Sequence, residues 1–163
     1  MADSLEQMYN EKPGFFSKLT DPFTLQDLAV KQAVDEYGYG EDVGGKGDAL
    51  RHLLASAILA KRQGPGYADF VTTAHESKIP GIGSPAQAPE DREMDLHNNY
   101  LGRQLATQAT SYPDLVRKAK QHIDSGSAKT VYTRAKAPTQ SYDVIDAAIE
   151  KPIDLIRNMF TPK

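Results

Sequence analysis

Three of the four histidines in this chain of 163 residues fall between positions 52 and 97, each with carboxylates, amides or arginines beside it. Arg51-His52 is one pair and His75-Glu76 a second. Asp95-Leu96-His97-Asn98-Asn99 is a third group, followed by Arg103. Two chemistries fit these residue types. In a metal form, His52, His75 and either Asp95 or His97 give imidazole nitrogen and carboxylate oxygen to a divalent ion, zinc or similar, with Glu76 as general base. In a metal-free form, Glu76 is the acid/base, Arg51 or Arg103 steadies a developing negative charge, and Asn99 stands beside them. A third reading needs no reaction: Asp–Arg and His–Asn pairs that satisfy one another can fix helix packing. The spacing matches no zinc template, because His75-Glu76-Ser77-Lys78-Ile79 lacks the second histidine of the metalloprotease helix.

Composition narrows the chemistry further. The chain has no cysteine and no tryptophan, so thiolate zinc sites, disulfides and cysteine nucleophiles are excluded. Any metal must be held by nitrogen and oxygen. A net charge of −3 gives no global reason to bind nucleic acid or an anionic membrane. That charge is uneven: residues 1–48 are acidic, 49–111 neutral and 112–140 basic. A solvated surface explains most of this, and a basic connector that docks an acidic protein partner explains the rest. The acidic N-terminus lacks a secretory signal pattern, and no apolar run is long enough to span a bilayer. The chain is therefore expected in the cytoplasm or packaged in a phage particle.

The elements that must position these groups are helical. Residues 1–20 read as a polar arm, and 21–37 as a helix stopped by Gly38, with Pro22 in its first turn. The tract Gly38 to Gly47 is too glycine-rich for an element. It fits part of a phosphate-binding loop, but Gly47 stands where Ser or Thr is required and Glu41-Asp42 would repel phosphate. Asp48 is expected to cap the strongest helix, 48–63, whose apolar residues run nearly all round it and place it at the centre of the domain. Further helices are expected over 67–77, 90–109 and 113–123, with a Pro/Gly loop over 79–89. On the helix over 90–109, Asp95, Asn99 and Arg103 recur one turn apart on a single stripe. Residues 125–127 read as a linker and 131–142 as extended. Residues 144–160 read as an amphipathic helix that Pro152 should kink. The expected architecture is one all-α domain: arm 1–20, helical domain 21–124, and 125–163 as connector with C-terminal helix.

The blocks Asp48-Ala-Leu-Arg-His52, Ala74-His-Glu76 and Met94-Asp-Leu-His-Asn-Asn-Tyr-Leu-Gly-Arg103 resemble a largely uncharacterised all-helical domain family of bacterial and phage proteins. The three blocks occur in order over residues 48–106, with Asp48 where that family usually has Asn. The resemblance implies a helical fold with a shared polar site, and it supplies no reaction. A second likeness bears on substrate. Glu76-Ser77, Gly81-Ile-Gly83-Ser84 and Asn99-Tyr-Leu-Gly102 are similar to blocks of soluble lytic transglycosylases, although their Gly-Leu-Met-Gln block is missing. It implies Glu76 as sole acid/base and cell-wall material as substrate. The leading expectation is a hydrolase- or lyase-like site built on Glu76, Arg51, Arg103 and Asn99, with His52, His75, Asp95 and His97 as metal ligands. The competing one is a non-enzymatic bacteriophage virion or assembly protein that docks another protein through its C-terminal helix or basic connector.

Overall fold

The computed structural model describes residues 4–14, 16–39, 41, 44–77 and 89–131. Among them are six helices and no strand: α1 (Leu5–Asn10), α2 (Ser17–Tyr37), α3 (Lys46–Gln63), α4 (Pro65–His75), α5 (Pro89–Gln108) and α6 (Tyr112–Asp124). The all-α class expected from periodicity is the class observed. The expected extended stretch beyond Val131 and the C-terminal helix over 144–160 lie outside the described residues, as does most of the Pro/Gly loop over 79–89.

Helix α3 is the hub. Leu50, Leu53, Leu54, Ala57, Ile58 and Leu59 are all buried, and every other helix packs on it. An apolar circumference leaves a helix no solvated face, so it must sit at the centre. Its closest neighbour is α5. A Cβ on Gly102 would lie 2.5 Å from the Leu53 carbonyl oxygen and 2.9 Å from Ser56 Cβ, so only glycine permits this approach.

Four boundaries differ from the sequence-based expectation, each for a physical reason. The polar arm is corrected over residues 5–10: Ser4 accepts the Gln7 N–H and starts α1, whose Leu5, Met8 and Tyr9 are buried in the core. The Tyr9 hydroxyl donates to the Ala109 carbonyl at 3.1 Å, which ties α1 to the end of α5. Helix α2 begins at Ser17, so Pro22 lies inside it. A proline there offers no N–H to the carbonyl four residues earlier. That carbonyl, of Lys18, accepts the Tyr67 hydroxyl instead.

Helix α3 starts two residues before Asp48, because Glu41 does the capping. Glu41 Oε2 accepts the Lys46 N–H at 3.0 Å, and the Glu41 carbonyl accepts the Asp48 N–H at 2.7 Å. A carboxylate thus takes the helix start that a phosphate would need. Finally, Gly64-Pro65 both ends α3 and opens α4. Gly64 has φ +91°, and Pro65 sits in the first turn of α4, where its missing N–H costs nothing.

Candidate functional site

Helices α3, α4 and α5 bring a cluster of ionisable and amide side chains into the interior. Asp48, Arg51 and His52 come from the first turns of α3, Glu76 from the residue that caps α4, and Asp95 and Asn99 from successive turns of α5. Asp48, His52, Glu76, Asp95 and Asn99 are all buried. The side chain of Arg51, 14% exposed, has the most solvent contact of the charged members.

The imidazole of His52 is the centre. Its Nδ1 lies 3.0 Å from Asn99 Oδ1, which also accepts the Ser56 hydroxyl at 2.8 Å. An amide oxygen accepts only, so Nδ1 carries the proton and donates. Nε2 therefore faces the carboxylates, 2.9 Å from Asp95 Oδ1 and 3.4 Å from Asp48 Oδ1. Glu76 Oε1 stands 3.9 Å from Nδ1. Arg51 is drawn in from the same side: its Nε donates to Asp48 Oδ1 at 3.0 Å, and its Nη2 touches both Asp48 Oδ1 and His52 Nε2.

Protonation follows from these contacts. Burial and the Arg51 charge both work against a charged His52, yet Asp95 and Asp48 outweigh them and lift it to about 10. Burial opposes ionisation of Asp48, but Arg51 and His52 hold its carboxyl well below the usual range. Burial likewise opposes the Arg51 charge, and Asp48 with Asp95 raises its pKa above the ordinary value. His75 goes the other way. Burial, then the Arg51 and His52 charges, depress it to about 4, so its imidazole is neutral.

One ligand atom each from Asp48, His52 and Asp95 all lie within 4.8 Å of one another. A four-coordinate ion with bonds of about 2.0–2.2 Å spaces its ligand atoms roughly 3.3–3.6 Å apart; the 3.4 Å from Nε2 to Asp48 falls in that range, and the 2.9 Å to Asp95 would have to open from a hydrogen-bond contact. The donor set could therefore hold a divalent ion. A metal-bound histidine typically gives its second ring N–H to a fixed acceptor, and Asn99 is that acceptor. Three carboxylates stand against the Arg51 guanidinium and the protonated His52, an excess of one negative charge that a divalent cation taking the place of the Nε2 proton would neutralise.

Of the residues expected at the site, Arg51, His52, Glu76, Asp95 and Asn99 come together. His75 ends α4 half-buried, within electrostatic reach of Arg51 and His52 but outside the group of mutually close ligand atoms. His97 is not brought in. It is two residues from Asp95, so the two point to different sides of α5, and its Nε2 donates to the Ser127 carbonyl at 2.8 Å. Arg103 turns to α4, pairing with Asp69 at 2.7 Å and reaching Thr72 Oγ1 at 3.3 Å. Sequence reasoning took Asp48 as a cap and missed it as a candidate ligand. Its spacing of three and four from Arg51 and His52 places all three on one face, which was the available signal.

The chain belongs to the family described as a domain of unknown function, DUF6973, whose model matches residues 15–130. The match spans α2 to α6 and so includes every residue of the cluster. No curated protein and no solved structure matches the chain. Among the described residues, no helix is long and apolar enough to cross a membrane.

Proposed function

We propose that this is a hydrolase- or lyase-like helical domain in which Asp48, His52 and Asp95 hold a divalent cation, zinc or a similar ion. The observation that carries the reading is the orientation of His52: Asn99 fixes Nδ1, and Nε2 meets two carboxylates in the buried interior. Imidazole with two carboxylates suits zinc or manganese better than a soft ion. On this reading Glu76 takes up or delivers a proton, Arg51 compensates negative charge, and neutral His75 stands within electrostatic reach of both Arg51 and His52. Cell-wall sugar polymers are the first substrates to assay, on the likeness of Glu76-Ser77 and the later Asn99 to transglycosylase blocks.

One observation favours a second reading. Arg51 Nη2 already touches Asp48 and His52, so a guanidinium takes part of the place a metal would fill. On that reading the cluster is a packing network of a non-enzymatic virion or assembly protein that docks another protein through its C-terminal segment. Metal analysis of the purified full chain separates the two, together with the stability of Glu76→Ala. The site reading expects about one equivalent of divalent metal and a variant that folds normally. Metal-free protein and a Glu76→Ala variant that loses several kcal/mol would support the network instead.

A further inference from the structure

Asn98, beside the site residue Asn99, is fully buried, and its carboxamide is spent on backbone. Its Nδ2 donates to the Lys129 carbonyl at 2.9 Å, and its Oδ1 accepts the Lys129 N–H at 2.9 Å. This two-way exchange is what a neighbouring β-strand would provide, supplied here by a side chain. Around it, His97 donates to the Ser127 carbonyl, Ala128 is buried, and Lys129 Nζ reaches Glu93 Oε1 at 2.5 Å. Residues 127–131 thus lie as a strap across α5.

The strap continues to the site. Val131 donates its N–H to the Gly44 carbonyl at 2.8 Å, and Gly44 donates its own N–H to Asp48 Oδ2 at 2.6 Å. Gly44 has φ +70°, a conformation that lets it serve both partners and that a side chain would strain. Hydrogen bonds at both ends of the Lys129–Val131 backbone therefore join Asn98, the strap and Gly44 to Asp48. The same helix that carries Asp95 also holds, through the strap, the Gly44 that orients Asp48.

We propose that the strap over residues 127–131 sets the affinity of the Asp48–His52–Asp95 group for a divalent cation. It acts by holding Gly44, and through Gly44 the Asp48 carboxylate. This rests on the metal reading above. Asn98 and Val131 are positioning residues: neither meets the ion, yet outer hydrogen bonds that orient a ligating carboxylate are typically worth about 10–100-fold in metal affinity.

The test is calorimetric titration of the full chain with zinc and, separately, with manganese. Val131→Pro removes the N–H given to Gly44 and also fixes the backbone at 131 and restricts Thr130, whereas Asn98→Ala removes both bonds to Lys129 without a backbone constraint. Leu115→Ala, a core change in the first turn of α6 with no hydrogen bond to the strap, lowers stability and serves as the control. The expected result is binding weakened roughly tenfold or more in both strap variants and unchanged in the control. If Asn98→Ala does not fold, Val131→Pro decides alone. Equal affinity in wild type and Val131→Pro overturns the strap's role, as does equal weakening in Leu115→Ala. No binding by the wild type overturns the metal reading and the strap with it, a result distinct from undiminished binding in the variants.

Discussion

The two ends of α3 each bury charge, and they do so in opposite ways. At the C-terminal end Arg62 donates through Nε and Nη2 to the two oxygens of Asp21, at 2.8 and 3.2 Å, and through Nη1 to the carbonyls of Met8 and Glu11. Gln63 adds donors to Asp21 and Ser17. One acid meets one base, the donors are used, and α1, α2 and α3 are stapled together. At the N-terminal end three carboxylates surround one guanidinium and one histidine. The first arrangement is what a structural ion pair requires, since buried charge is tolerated only when paired and hydrogen-bonded. The second leaves one negative charge unbalanced even with His52 protonated, and a divalent cation in place of that proton would neutralise it.

The largest expected effect falls on the balanced end. Arg62→Ala strips Asp21 of its partner and should cost about 3–5 kcal/mol in urea unfolding, while metal binding by the folded fraction is unchanged. Next comes Gly102→Ala, which pushes α5 away from Leu53 at the other end. It should cost about 1–3 kcal/mol and weaken metal binding as well, because Asp95 and Asn99 move with α5. Asp95→Asn should change the stability of metal-free protein by no more than about 1 kcal/mol, since it relieves excess negative charge, yet abolish metal binding. A loss as large as that of Arg62→Ala would make the two ends alike and remove the contrast.

The smallest effect is one of pH. His75 is depressed to about 4 by burial and by the Arg51 and His52 charges, so the unfolded chain takes up this proton first as pH falls. Its contribution to stability is full above about 6.5, the ordinary histidine value, and is lost as pH falls toward about 4. The melting temperature of His75→Gln should therefore fall less steeply than that of wild type across this window. Parallel curves would remove His75 from the electrostatics of the site.

Much of this was legible in the sequence where the signal is local. The apolar circumference of α3 placed it at the centre, and the stripe Asp95, Asn99, Arg103 marked the face of α5 that enters the buried polar cluster, although Arg103 is taken by Asp69. What escaped depends on distant partners. Leu5, Met8 and Tyr9 make a helix of six residues, too short to persist without the core they join. Asp48 looked like a cap because nothing local shows that Glu41 performs that task from five residues before Lys46. Asn98 stood out only as a polar neighbour, since its partner Lys129 is 31 residues away. His97 carried the right atoms on the wrong side of its helix.

The central claim is that the unbalanced end of α3 is a cation site centred on His52. It is tested most directly by titrating the metal-free full chain with zinc and comparing it with His52→Gln. The account predicts saturation at about one equivalent in wild type, with a rise in melting temperature, and neither in the variant. Wild type that takes up no zinc or manganese, or His52→Gln that binds as tightly, would contradict it.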